Sequence, residues 1–205
     1  MIRISTIHKS ALFSSILVGC VLTAANAADL SAVPSGGYEV DTTHAYINFQ
    51  YNHLGLSNPT LSFDDFTVDL DLDNSDPTQS SLAVTIDPAS IITGSDIWKD
   101  HLTGGDWFNV AAHPQITFQS TSIEGAGDGA YVVTGDLTIK EMSKPVTLNV
   151  AINAAMNHPM SGKPVIGLDA SGSVLRSDFG MGKFAPNVSD EVLLNISVEL
   201  LKAAE

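Results

Sequence analysis

Phe66-Thr67-Val68-Asp69-Leu70-Asp71-Leu72-Asp73 is the stretch that decides the fold class. Phe66, Val68, Leu70 and Leu72 alternate with Thr67, Asp69, Asp71 and Asp73. Successive side chains of a β-strand point to opposite faces, so this octet is a strand with one apolar face and one acidic, solvent-facing one. Carboxylates on the outer face also discourage edge-to-edge pairing between molecules.

The same period of two continues outward in both directions. Ala45, Ile47, Phe49 and Tyr51 alternate with Tyr46, Asn48, Gln50 and Asn52, ahead of a turn at Ser57-Asn58-Pro59. Leu82, Val84 and Ile86 precede Asp87-Pro88, and a run from Gln115 to Ile123 sets Ile116 and Phe118 against Thr117 and Gln119. The turn Glu124-Gly125-Ala126-Gly127-Asp128-Gly129 leads into Tyr131 to Ile139. Val146, Leu148, Val150 and Ile152 mark a sixth strand, Val165 to Arg176 a seventh, and Val192, Leu194, Ile196, Val198 and Leu200 an eighth. Eight alternating strands with short polar turns predict an all-β, antiparallel up-and-down meander. Closing strand eight onto strand one hides both sheet edges. An eight-stranded barrel is wide enough to be filled by side chains or to hold one slim ligand. Runs of 12 to 14 residues, roughly 40 Å at about 3.3 Å per residue, predict a tall, narrow barrel suited to an elongated guest.

One segment breaks the period. Ser95 to Leu102 (SDIWKDHL) has helical spacing and predicts a short helix between strands three and four, ended by Gly104-Gly105. Trp98, Trp107 and Phe108 gather there, either as a lid on one barrel mouth or as packing beneath a long connection. Asp29 to Gly37 reads as a flexible lead-in and Lys202 to Glu205 as a frayed tail.

The first 27 residues read as a secretion signal: Arg3 and Lys9, an apolar run from Ala11 to Ala24, then Ala25-Asn26-Ala27 before the cut at Ala28. The apolar run falls short of the ~20 residues a membrane span needs, and no later segment approaches it, so a chain that does not span the membrane is expected. Leu17-Val18-Gly19-Cys20 offers an alternative, a lipoprotein anchored at Cys20. Cleavage after Ala27 leaves one domain over 28–205 without Cys20, the only cysteine, and so without a disulfide or thiol chemistry. The whole chain carries a formal charge of −14; losing Arg3 and Lys9 leaves seven cationic against 23 acidic residues, a balance of −16. Such a surface repels nucleic acid and anionic lipid headgroups.

Five stretches carry a family resemblance: YEVDTTHAYINFQYNHLGLS (Tyr38 to Ser57), IDPASIITG (Ile86 to Gly94), DHLTGGDWFNVAAHPQITFQST (Asp100 to Thr121), GDLTIKEMSKPVTLNV (Gly135 to Val150) and RSDFGMG (Arg176 to Gly182). Together, in this order, they resemble the YceI-like family of periplasmic, lipocalin-like lipid-binding proteins. The resemblance implies a barrel around an apolar tunnel, a polyisoprenoid-like ligand, a periplasmic location, and no established enzymatic activity. Thr60 to Phe66 (TLSFDDF) departs from the family's usual Gly-x-Phe turn, and Glu141-Met142 stand where a Gly often follows the LTIK run.

By strand parity, Ile47, Phe49, Tyr51, Phe66, Val68, Ile116, Phe118, Leu137, Leu148 and Val174 are candidate tunnel residues, with ordinary core packing as the alternative for each. Trp98, Trp107, Phe108 and Phe179 are added at the mouth. His53, Asp100, His101, Arg176 and Asp178 are the polar groups able to meet a ligand head; Arg176 is equally read as paired with a carboxylate that pins its loop. His44, His53, His101, His113 and His158 show no preformed metal-pair spacing, and a calcium loop starting at Asp69 lacks its Gly and Glu at Asn74 and Ser80, so no metal is assigned. No Gly-x-Ser-x-Gly elbow is present and no catalytic residue is assigned.

The expectation is therefore a carrier holding a long isoprenoid-type lipid (polyprenol, isoprenoid quinone or similar), with no other cofactor. Its expected partners are that apolar molecule, a second copy of the chain through an apolar patch, and a membrane redox protein as lipid donor or acceptor. The alternatives are an enzyme using the His/Asp/Arg group at the mouth, and a structural module with a filled barrel.

Overall fold

The computed structural model describes residues 28–204; the expected signal sequence, with Cys20, lies outside them. Its strands are β1 (Gly36–Gln50), β2 (Thr60–Phe63), β3 (Phe66–Leu72), β4 (Ser81–Ile86), β5 (Ile91–Ile92), β6 (Ile116–Gly127), β7 (Ala130–Ile139), β8 (Met142–Asn157), β9 (Pro164–Leu175) and β10 (Glu191–Lys202). The ring β1-β3-β4-β6-β7-β8-β9-β10 closes back onto β1, every pair antiparallel, which gives the expected eight-stranded up-and-down barrel. The two short strands continue this lattice. β2 extends the line of β3 past Asp64-Asp65 and pairs with the second half of β1; β5 extends β4 past a 3-10 turn at Pro88–Ser90 and pairs with β2.

Strand β1 is built in two registers. Tyr38, Glu39 and Val40 face Lys202, Leu201 and Leu200 of β10, yet Ala45 already faces Val198. Residues 41–44 thus stand opposite Glu199 alone, three more than the partner strand supplies. An odd number of extra residues reverses which side chains point inward. Before the bulge the even-numbered Tyr38 is buried; after it the odd-numbered Ile47 is. The alternation from Ala45 to Tyr51 is therefore correct as read, but out of phase with Tyr38 and Val40.

The two barrel ends are closed differently. At one end the segment expected to be a flexible lead-in is ordered: Leu30–Ala32 forms a 3-10 turn capped by Asp29, and Leu30 and Val33 are buried. Asn74, in the β3–β4 turn, ties it down by donating to the Val33 carbonyl at 2.7 Å, while Ser35 donates to the Asn74 side chain at 2.8 Å. The expected frayed tail is also held at its start: Ala203 N donates to the Gly37 carbonyl at 3.0 Å, and Lys202 Nζ donates to the same oxygen at 3.1 Å. Both corrections have one cause. Backbone and side-chain hydrogen bonds at the barrel rim fix chain ends whose local sequence carries no periodic signal.

The other end carries α1 (Asp96–Thr103) between β5 and β6, together with the loops 51–59 and 176–190. Ser95 is the N-cap, accepting from the Trp98 backbone N–H at 3.4 Å, so the helix begins one residue later than its spacing suggests.

The bulge has its own electrostatics. The Asp41 carboxylate accepts from Thr43 N at 2.9 Å and Thr43 Oγ1 at 2.7 Å and sits 3.2 Å from His44 Nδ1. The Thr43 hydroxyl bond, then its backbone bond and His44, hold the carboxyl down at about 2, against an ordinary 3.8. A depressed carboxyl stabilises the fold above its ordinary value and ceases to do so as pH falls toward 2. Asp41→Asn is expected to lower the urea midpoint at pH 5 and to flatten its decline between pH 4 and pH 2; an unchanged acid limb in the variant would count against this role.

Candidate functional site

The barrel encloses a cavity of about 430 Å³ with an almost wholly apolar wall, within the range of roughly 300–1,000 Å³ for small-molecule sites. It runs the height of the barrel. Leu30, Leu72 and Pro77 line it at the plugged end, and Tyr51, His53, Trp98, His101 and Phe184 at the other. Tyr131 and Ile139 both line it from β7; eight residues at about 3.3 Å each place them roughly 26 Å apart along the strand. A filled barrel is not what the chain builds.

The space exists partly because two inward positions carry no side chain. A Cβ on Gly135 would lie 2.4 Å from the Phe118 ring, and one on Gly172 would lie 2.9 Å from Leu148 Cδ2. Phe118 and Leu148 thereby lie back against the neighbouring strands instead of filling the centre.

Of the residues picked out by sequence, Ile47, Phe49, Tyr51, His53, Val68, Trp98, His101, Trp107 and Phe108 all line the cavity, as do Ile116, Phe118, Leu137, Leu148, Val174, Arg176 and Phe179. Two do not. Phe66 is buried at the start of β3, immediately after the Asp64-Asp65 break, and packs into the core beside the cavity. Asp178 is exposed: Arg176–Phe179 is a single 3-10 turn, in which residues three apart share a face, so Arg176 and Phe179 turn inward while Asp178 turns out. Asp100 is exposed too.

Sequence reading missed Leu61 and Phe63, whose alternation in the short β2 could have been found, and Leu30 of the plug. It also missed Phe184 and Val188 in an aperiodic loop.

The mouth is an aromatic cluster. Trp98 stacks on His101 with ring centroids 5.1 Å apart and meets Trp107 edge-on at 6.4 Å. Phe63 stacks on Phe49 at 5.2 Å and meets Phe108 edge-on at 5.8 Å. Trp107 and Phe108 are buried wall, whereas His101 is exposed at the opening. Burial raises the Tyr51 phenol above its ordinary value, so at neutral pH it faces the cavity as an uncharged hydroxyl.

Arg176 organises the rim. The residue is 6% exposed, and its guanidinium donates from Nε to the Ser189 carbonyl at 2.8 Å, from Nη2 to Val188 at 2.8 Å, and from Nη1 to Lys183 at 2.7 Å and to Met181. It pins the loop, as one reading of the sequence held, but through carbonyls and not a carboxylate. Asp190 instead binds Ser177, accepting at its backbone N–H (2.9 Å) and its hydroxyl (2.6 Å). Burial pulls the Arg176 pKa down, with the Asp190 charge opposing. A second tie, Lys183 to Asp106 at 2.5 Å, joins the loop to the segment after α1.

Among the described residues no ion pair links His53 or His101 to a carboxylate. The carboxylates of the half-buried Asp41 and Glu199 and a ring nitrogen of the exposed His44 lie within 4.8 Å of one another, on the outer wall away from the cavity. No described helix is long and apolar enough to cross a membrane.

Replacing Arg176 with Met strands four carbonyls that share one buried donor group, and unsatisfied buried acceptors cost about 1–3 kcal/mol each. Loss of about 2 kcal/mol or more in urea unfolding is expected, with faster proteolytic cutting between residues 181 and 189. Wild-type cutting rates there would exclude the pinning role.

Comparison with known proteins places this geometry. The model of the YceI-like domain matches residues 38–200. Protein YceI of Escherichia coli O157:H7 is 37% identical over 164 residues, covering 79% of this chain and 85% of the relative. A UPF0312 protein of Yersinia pestis is 37% identical over 164 residues, 79% of this chain and 84% of the relative. Among solved structures, Burkholderia cenocepacia BcnA superposes with a TM-score of 0.70 at 30% identity, over 78% of this chain and 98% of its own. A polyisoprenoid binding domain from Saccharophagus degradans shares the fold at TM-score 0.60 and 14% identity, over 83% of this chain and all of its own. Eight antiparallel strands around one long apolar cavity, with the matched sequence running from β1 to β10, show that the chain belongs to the YceI-like family.

Proposed function

We propose that this protein is a periplasmic carrier that holds a long isoprenoid-type lipid, a polyprenol or an isoprenoid quinone, along the barrel interior. The observation that carries the proposal is the shape and lining of the cavity: continuous, elongated, and apolar from the Leu30 plug to the Trp98 mouth. Each buried CH₂ contributes about 0.8 kcal/mol, so a chain lying along such a wall binds tightly without polar contacts over most of its length. The Saccharophagus degradans domain, a polyisoprenoid binder by description, shares the barrel that makes this possible. Passage of the lipid to or from a membrane redox protein, and pairing of two copies, belong to the same proposal. The mouth favours holding over turnover: among the described residues its histidines form no ion pair with a carboxylate, and Arg176 is engaged with the backbone.

Protein expressed with its leader and released from the periplasm is expected to show, by native mass spectrometry, a mass increment that organic extraction removes. The extract is expected to contain a polyprenol or a quinone. Empty protein that also takes up neither compound when added would sink the proposal.

A further inference from the structure

One residue of the cavity wall carries a buried group whose bonding is incomplete. Trp107 is 7% exposed and lines the cavity, and its Nε1–H is the one buried side-chain donor or acceptor among the described residues without a hydrogen-bond partner. Roughly 90% or more of buried polar groups are paired, because an unpaired one loses its hydration and gains nothing in return. An indole N–H can only donate. The Arg176 guanidinium, 5.5 Å from the indole ring, has no lone pair to offer, and the other close rings are Trp98 at 6.4 Å and His101 at 6.1 Å.

We propose that Trp107 Nε1–H is the polar anchor of the cavity, donating to an uncharged oxygen (hydroxyl, ether or carbonyl) at the head of the bound lipid. This rests on the carrier reading above and adds the head chemistry to it. The nearby cations point to a neutral head. Four of the five guanidinium N–H groups of Arg176 are taken by loop carbonyls, and Lys183 is paired with Asp106. An anionic head entering this mouth would find the guanidinium donors turned to the loop carbonyls and the Lys183 ammonium already paired. On this proposal the head oxygen displaces His101, which is exposed and stacked on Trp98, to reach the indole. The tail then lies along the apolar wall toward Leu30, which fixes the direction of the ligand.

The test uses the mature protein and Trp107→Phe with four probes of one carbon skeleton: geranylgeraniol, its methyl ether, its phosphate and the parent hydrocarbon. The ratio of dissociation constants, hydrocarbon over alcohol, is expected to fall about tenfold or more in Trp107→Phe, as the loss of one hydrogen bond to a buried donor implies. The chain has two tryptophans, so the Trp107 indole proton is assigned in the wild type by its persistence in Trp98→Phe. That resonance is expected to move downfield with the alcohol and the ether and not with the hydrocarbon, a readout independent of whether Trp107→Phe folds. The phosphate is expected to bind more weakly than the alcohol. An unchanged ratio, or a stationary indole proton while the alcohol binds, overturns the anchor and leaves the carrier reading intact. Tighter binding of the phosphate than of the alcohol overturns the neutral head. Failure of all four probes to bind the wild type removes the carrier reading and the anchor together.

Discussion

Strand β1 has to pair with two neighbours at once, and the rest of the molecule depends on how it does so. It hydrogen-bonds to β10 along both of its halves, closing the barrel, while its other edge is shared between β3 and then β2. The bulge at residues 41–44 makes this possible by shifting the register between Val40 and Ala45. Without closure, β1 and β10 would expose unpaired edges and the interior would open to water along its whole height. With it, the apolar faces of all eight ring strands turn toward one axis.

A closed eight-stranded barrel does not by itself contain a cavity, since eight strands leave only enough room for their own side chains or one slim guest. Here the balance is set by a few residues. Gly135 and Gly172 let Phe118 and Leu148 lie flat against neighbouring strands, and the rest of the wall is mostly branched aliphatic and aromatic side chains. The ends then give the cavity a polarity of its own. Leu30, Val33 and the Asn74 bonds seal one end with apolar side chains; the other gathers the tryptophans, two histidines, Tyr51 and a buried arginine. Arg176 is the costliest of these to bury, and its donors go to the loop backbone. Rigid placement of the loop that carries Phe184 and Val188 is what this arrangement secures.

Local sequence determined the strands, their inward and outward faces, the short helix and the aromatic character of its neighbourhood. Alternation with a period of two is a property of the extended backbone itself, so Phe66 to Asp73 or Val192 to Leu200 carries it wherever the strand ends up. Tertiary structure decided everything that depends on which strand ends meet. Phe66 has the right parity yet packs beside the cavity, because the lattice breaks at Asp64-Asp65 just before it. Asp178 is two residues from Arg176 but faces solvent, because a 3-10 turn and not a strand joins them. Arg176 finds its partners 5 to 13 residues further along the chain, on a loop with no periodic pattern to announce it. The unpartnered Trp107 indole could not be read from sequence at all: a missing bond is defined by every atom that surrounds the donor, and those atoms come from segments that only folding brings together.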